Sequence, residues 1–181
     1  AGLGRMGQRH ARVIARTPGA QLVAACSPVA DERDWACNEL GVAAVCVSPS
    51  RLQLPAGLLD DGIGLAVVCG FPSGAHVVAI KAAEASVAVA AGASEVDVVA
   101  DLAAVAGGDL EALAVETEAI RAAIGPGIVL KVILESAAIL ALGDRGSGLL
   151  TGACRTVADA GADLVKTSTG FHPAGGATTE A

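Results

Sequence analysis

Lys81, Lys131 and Lys166 are the only lysines in this 181-residue chain; of its twelve lysines and arginines the other nine are arginine. Lysine is therefore not the default surface cation here. Lys131 interrupts the apolar run 127–135, GIVLKVILE, and Lys166 stands at the end of 162–169, ADLVKTST. An acid, Asp97, sits in a third run, EVDVVA at 95–100. Charges inside apolar strands are costly unless they are paired. Burial also disfavours an ammonium, and the neutral amine can attack a carbonyl to form a Schiff base. A neighbouring carboxylate can then move protons. A second ammonium close by, as Lys131 would be, pushes the first toward its free amine.

Plainer readings stand beside this one. A strand-end lysine can bury its stem and keep its head in water or on a carboxylate. Asp97 can be a mere counter-ion, and Lys131 can be the charge it neutralises. The TSTG turn after Lys166, with Thr167, Ser168 and Gly170, offers successive backbone N–H groups and hydroxyls that suit a phosphate. It suits a helix N-cap equally well. GFPSG at 70–74 reads as a turn in which Ser73 caps the next helix.

These residues need elements to hold them. Six runs read as strands buried on both faces: 20–27, 42–48, 64–71, 95–100, 127–135 and 162–169. Ala-rich amphipathic stretches such as 74–92 and 109–125 separate them, and this alternation predicts a parallel α/β sheet. Gly41, Gly92 and Gly161 each close a helix before a strand. Five residues beyond them come Cys46, Asp97 and Lys166. Equal offsets on the second, fourth and sixth strands predict one shared layer inside a (β/α)₈ barrel. Gly64 plus five gives Cys69, so the offset alone does not select chemistry. With six strands, the expected fold is an incomplete TIM barrel.

Composition narrows the partners. A net charge of −7 argues against nucleic acid and anionic membranes. Hydrophobic residues make up 53% of the chain, yet polar residues break each apolar run before membrane-spanning length. Neither a transmembrane helix nor a signal peptide is expected. The five cysteines form no C-x-x-C pair and read as thiols of a cytoplasmic protein. His10, His76 and His172 lie far apart in sequence, and no metal site is expected. A start at Ala1 rather than Met, and a stop at Ala181 straight after AGGATTE, read as cut ends.

The motifs AAVCVSP, GFPSGA, EVDVV, LKVILES and AGADLVKTSTGF…GGAT, in this order, resemble the deoxyribose-phosphate aldolase family over residues 43–181. The resemblance implies a TIM-barrel class I aldolase, a lyase joining acetaldehyde reversibly to glyceraldehyde 3-phosphate, with no metal or organic cofactor. Lys166 then matches the Schiff-base lysine, Asp97 the proton shuttle and Lys131 the strand-five lysine. Cys46 matches a pocket cysteine, and Gly170 a glycine near the substrate phosphate. The family carries a further lysine on strand seven and completes its phosphate site on strands seven and eight. The 181 residues alone are therefore expected to show a small fraction of a complete aldolase's turnover, or to be an inactive barrel fragment. The implied partner is a small phosphorylated sugar or aldehyde, and a homo-oligomer stays open.

Residues 1–42 read differently. Gly2, Gly4 and Gly7 spell G-x-G-x-x-G, and the segment resembles the start of inositol dehydrogenase-type NAD(P)-dependent oxidoreductases. The first strand is nearly absent, and Ser27 stands where an acidic ribose ligand is expected. Alternatively, this segment substitutes for the first barrel unit. The expected division is 1–42 as a partial dinucleotide-binding-like piece and 43–181 as a partial aldolase barrel, with an oxidoreductase fragment as the rival function.

Overall fold

The computed structural model describes residues 43–52, 54, 59 and 62–177, together with 8, 11, 12, 16, 24–26, 31, 35 and 36. Six strands lie side by side: β1 (Ala24–Cys26), β2 (Ala44–Val47), β3 (Gly64–Cys69), β4 (Glu95–Val99), β5 (Val129–Ile133) and β6 (Leu164–Lys166). Neighbours pair in parallel, and spatial order follows chain order from β1 to β6. A doubly wound sheet reverses its strand order, and dinucleotides bind at that reversal. The described strands contain no reversal. They wind one way, as a barrel does.

The helices are α1 (Val78–Ala90), α2 (Leu102–Gly107), α3 (Leu110–Ile124), α4 (Ser136–Leu140) and α5 (Gly146–Asp159). Asp101 and Asp109 start α2 and α3 by accepting hydrogen bonds from the N–H groups of Ala103 and Ala112. Ser73 does not cap α1, contrary to the sequence expectation. Its hydroxyl accepts from Ala75 N within the turn, and α1 begins later, with Val77 as an N-cap that makes no side-chain bond. The turn is instead held by Gly74, whose φ is +69° and whose absent Cβ would lie 2.0 Å from the carbonyl oxygen of Ala100. Only glycine fits there.

Side chains alternate across each strand. Val96, Val98, Leu130 and Val132 face outward and pack with Leu113, Ile120, Ala153 and Val157 of α3 and α5. The opposite, inner face of β2 and β3 carries Ala44, Cys46, Ala66 and Val68, with Phe71 against them. Asp97, lying between Val96 and Val98, belongs to that inner face.

Register explains the glycine offsets. Cys46 pairs with Ala66 and Ala66 with Glu95, so Asp97 stands two residues further up. Asp97 pairs with Lys131 and Lys131 with Leu164, so Lys166 again stands two further up. One residue of climb per strand is the stagger of an eight-stranded barrel with a shear of eight. Gly92 and Gly161 both adopt φ +100°, as helix-closing glycines do, whereas Gly64 is already the first residue of β3. That is why Cys69 leaves the layer and packs outward. Gly41 lies outside the described residues. Among the described residues no helix is long and apolar enough to cross a membrane.

Candidate active site

Lys166 is the last residue of β6, and the chain beyond β5 fixes its height. Leu134 N donates to Lys166 O at 3.0 Å, and Ser136 N donates to Thr167 O at 2.7 Å. The Lys166 ammonium reaches Asp97 Oδ2 at 2.6 Å. Asp97 is fully buried, while the Lys166 side chain is 38% exposed and so remains open to a small molecule. Cys46 Sγ lies 3.9 Å from the same Asp97 oxygen.

Lys131, the third member, comes within 3.1 Å of Asp97 Oδ1. The contact has ion-pair distance but not hydrogen-bond alignment, and Oδ1 has no hydrogen-bond partner in the structure. Hydrogen-bond strength falls steeply with angle, so the contact acts as an ion pair. Lys131 instead donates to Glu95 Oε2. Burial pulls its ammonium toward neutrality, but Asp97 and Glu95 outweigh burial and hold it above the usual lysine range. Glu95 was not singled out from the sequence. Its signal was there: two residues before Asp97 on one strand, it must share Asp97's face.

The turn after Lys166 is pinned by a carboxylate. Glu135, 2% exposed, accepts from Thr169 N at 3.2 Å and from Thr169 Oγ1 at 2.5 Å. Its backbone is left-handed, φ 52° and ψ 56°, an uncommon state for a residue with a side chain. Gly170 N donates to Ser168 Oγ at 3.0 Å, and Phe171 N donates to Thr169 Oγ1 at 3.1 Å. The N–H groups expected to face a phosphate thus have partners within the turn or on Glu135. Across the mouth, Phe171 meets Phe71 edge-to-face, centroids 5.4 Å apart.

The remaining lysine sits elsewhere. Lys81 of α1 is fully buried between sheet and helices, bonded to Glu116 Oε2 at 2.7 Å and to Val99 O at 2.9 Å. The amino-terminal glycines Gly2, Gly4 and Gly7, like Ser27, lie outside the described residues. Ala24–Cys26, from the same segment, forms the edge strand beside β2. Among the described residues no group of three or more His, Cys, Asp or Glu side chains could hold a metal ion.

A singly wound parallel sheet with an amine at the carboxyl end of one strand and a buried carboxylate facing it from the middle of another defines an α/β barrel of the TIM class, built as its enzymes are. Comparison with known proteins specifies which. The chain is 57% identical over 143 residues to a deoxyribose-phosphate aldolase of Mycobacterium ulcerans, covering 79% of this chain and 61% of that protein. It is 54% identical to the protein of that name from Mycobacterium tuberculosis H37Rv, with 79% and 62% covered. Among solved structures, an aldolase designated QR15 matches with a TM-score of 0.68 at 33% identity, over 83% of this chain and 67% of that one. A tetrameric deoxyribose phosphate aldolase from Aeropyrum pernix matches with a TM-score of 0.62 at 27% identity, over 90% and 66%. No family model matches. The chain belongs to the deoxyribose-phosphate aldolase family, and it spans about three fifths of the length of these curated relatives. These relatives lend no support to the dehydrogenase likeness of residues 1–42.

Proposed function

We propose that this chain carries the Schiff-base half of a class I aldolase acting on 2-deoxyribose 5-phosphate. One observation carries the reading: an accessible lysine amine 2.6 Å from a fully buried carboxylate at the carboxyl end of a barrel strand. As a free amine, Lys166 adds to the open-chain aldehyde and water leaves, giving an iminium. A base takes the proton of the hydroxyl on the third carbon. The bond between second and third carbons breaks, and its electron pair moves to the iminium nitrogen. Glyceraldehyde 3-phosphate departs, and the enamine left on Lys166 gains a proton and is hydrolysed to acetaldehyde.

Asp97 is the group in place for these proton transfers, directly or through water. Lys131 keeps positive charge beside it, and Cys46 lines the adjoining wall. Thr167, Ser168 and Gly170 are assigned to the phosphate end, where phosphate oxygens would replace the contacts that now close the turn. Ala24–Cys26 serves as the first barrel strand. A cytoplasmic setting and a homo-oligomer complete the reading.

Trapping with acetaldehyde and borohydride tests it. The reduced adduct should appear on Lys166 and vanish in Lys166→Ala. An adduct found only on Lys81 or the amino terminus would refute the assignment.

A further inference from the structure

The aldol steps leave a buried carboxylate at the mouth unused. Glu135 stands two residues beyond β5, is 2% exposed, and belongs to none of the ion pairs among the described residues. A buried charge without a counter-ion is costly unless hydrogen bonds take it up. Here all of them come from one residue, Thr169, through its N–H and its hydroxyl. The backbone adds a second cost, since a side chain at φ 52° is strained, and strain of this kind gathers at functional sites.

Both costs serve the turn after Lys166. The Thr169 hydroxyl has a single proton, and Glu135 takes it. A lone pair of that hydroxyl is thereby left to accept from Phe171 N at 3.1 Å. The N–H of Thr169 is likewise committed to Glu135. The next two N–H groups are held more lightly. Gly170 N donates to Ser168 Oγ at 3.0 Å and Phe171 N to Thr169 Oγ1, and both residues are exposed. Gly170 is left-handed at φ +78°, and a left-handed residue is one half of the concave N–H arrangement that binds anions.

We propose that Glu135 is a positioning residue for the phosphate end of the substrate. By holding Thr169 it withholds that N–H, and it sets the Gly170 and Phe171 N–H groups as the pair that the phosphate takes over from the two hydroxyls. This rests on the aldolase reading. The field of the carboxylate opposes a phosphate, so its benefit lies in ordering the turn before the ligand arrives. The two effects differ in sign. Loss of the charge alone tightens phosphate binding, whereas loss of the hold weakens it.

Borohydride trapping on Lys166 of 2-deoxyribose 5-phosphate, beside unphosphorylated 2-deoxyribose, separates them. Glu135→Gly removes the carboxylate and suits the left-handed backbone. It should raise the half-saturating concentration of the phosphate ester about tenfold or more, and leave that of 2-deoxyribose within about threefold. Glu135→Gln loses the same charge but keeps an acceptor oxygen for Thr169, so it should recover part of the loss. A second readout needs no catalysis. In amide NMR of the unmutated chain, inorganic phosphate should move the Gly170 and Phe171 signals and move Thr169 least.

Equal losses for the two sugars would make Glu135 a structural part only and overturn the proposal. So would a phosphate ester held as tightly in Glu135→Gly, or a Thr169 amide that moves with phosphate as far as Gly170. If Glu135→Gly does not fold, Thr169→Val decides, because it breaks the link to Phe171 N and leaves the carboxylate in place. It should weaken the phosphate ester selectively, and equal effects on both sugars overturn the proposal. If the unmutated chain traps acetaldehyde but holds both sugars equally, the proposal falls and the Schiff-base reading stands. If it traps no aldehyde at all, the aldolase reading fails, and the phosphate titration alone supports or overturns the hold of Glu135 on the turn.

Discussion

Two lysine–carboxylate clusters lie on opposite faces of the same sheet, and they solve the cost of a buried charge in opposite ways. On the outer face, the Lys81 ammonium is enclosed: Glu116 Oε2 and Val99 O take its protons, and Asp101 N donates to Glu116 Oε1 at 3.3 Å. Burial, partly offset by Lys81, still pushes the Glu116 carboxyl above its usual range. The same enclosure pushes the neighbouring Cys69 thiol up, by burial first and by Glu84 beside it. On the inner face, Asp97 is shared between the Lys166 and Lys131 ammonium groups, and Lys166 keeps a path to solvent. A buried ion pair alone therefore does not mark a site here. A pair whose amine keeps access to solvent does.

Reactivity should divide the two most sharply. Under reductive methylation of the folded chain, Lys166 should react faster than Lys81 by about a hundredfold or more. That ratio needs only about 2.7 kcal/mol of opening cost at Lys81, well within ordinary domain stability. Peptide mass spectrometry over a time course reads both sites in one sample. Comparable rates would mean that α1 detaches readily and that the contrast between the faces is not real.

Stability should divide them next. Lys81→Met strands a buried carboxylate, and a loss of about 3–5 kcal/mol is expected from urea unfolding. Removing both charges in Lys81→Met/Glu116→Leu should recover much of it, because an apolar pair of similar volume has no desolvation to offset. Lys166→Met should cost less than Lys81→Met, since Asp97 retains Lys131 within 3.1 Å. A larger loss at Lys166 would reverse the assignment of structural and chemical roles.

How much of this was legible beforehand follows from what each feature depends on. All six strands fall inside the runs read from the sequence, because strands buried on both faces are apolar without a break and are bounded by helix-closing glycines. The common layer of Cys46, Asp97 and Lys166 was legible for the same reason, as Gly92 and Gly161 start each count from an equivalent backbone state. Glu135 was not legible. Its left-handed backbone depends on the β6 turn it clamps, a contact across 34 residues that no local pattern encodes. Ser73 misled because a serine in a turn satisfies the nearest N–H, whether or not a helix follows. Lys81 sits in an Ala-rich helix where a charge normally marks the solvent side. Only packing against Val99 and Glu116 shows otherwise.

The smallest effect belongs to the amino ends of the strands, away from both lysine clusters. Arg121 there donates to the carbonyls of Gly161, Gly125 and Ile128 and, at 2.5 Å, to Asp163. Leu130 N also donates to Asp163 Oδ2 at 2.8 Å. That backbone bond first, with Arg121 added to it, outweighs burial and holds the Asp163 carboxyl below its usual range. A carboxyl depressed on folding stabilises the chain above the unfolded value of about 3.9, and the contribution is lost as pH falls through the lower folded value. The Asp163 side chain is 52% exposed, so solvent screens the pair and Asp163→Asn should cost no more than about 1 kcal/mol near neutral pH. Thermal unfolding of the two proteins should therefore differ slightly at pH 7 and converge as the pH falls through the lowered folded value. Barrel stability is expected to reside at this end of the strands and chemistry at the other. Asp163→Asn should accordingly leave Lys166 trapping unchanged, and a change in trapping would mean that the two ends are coupled through β6.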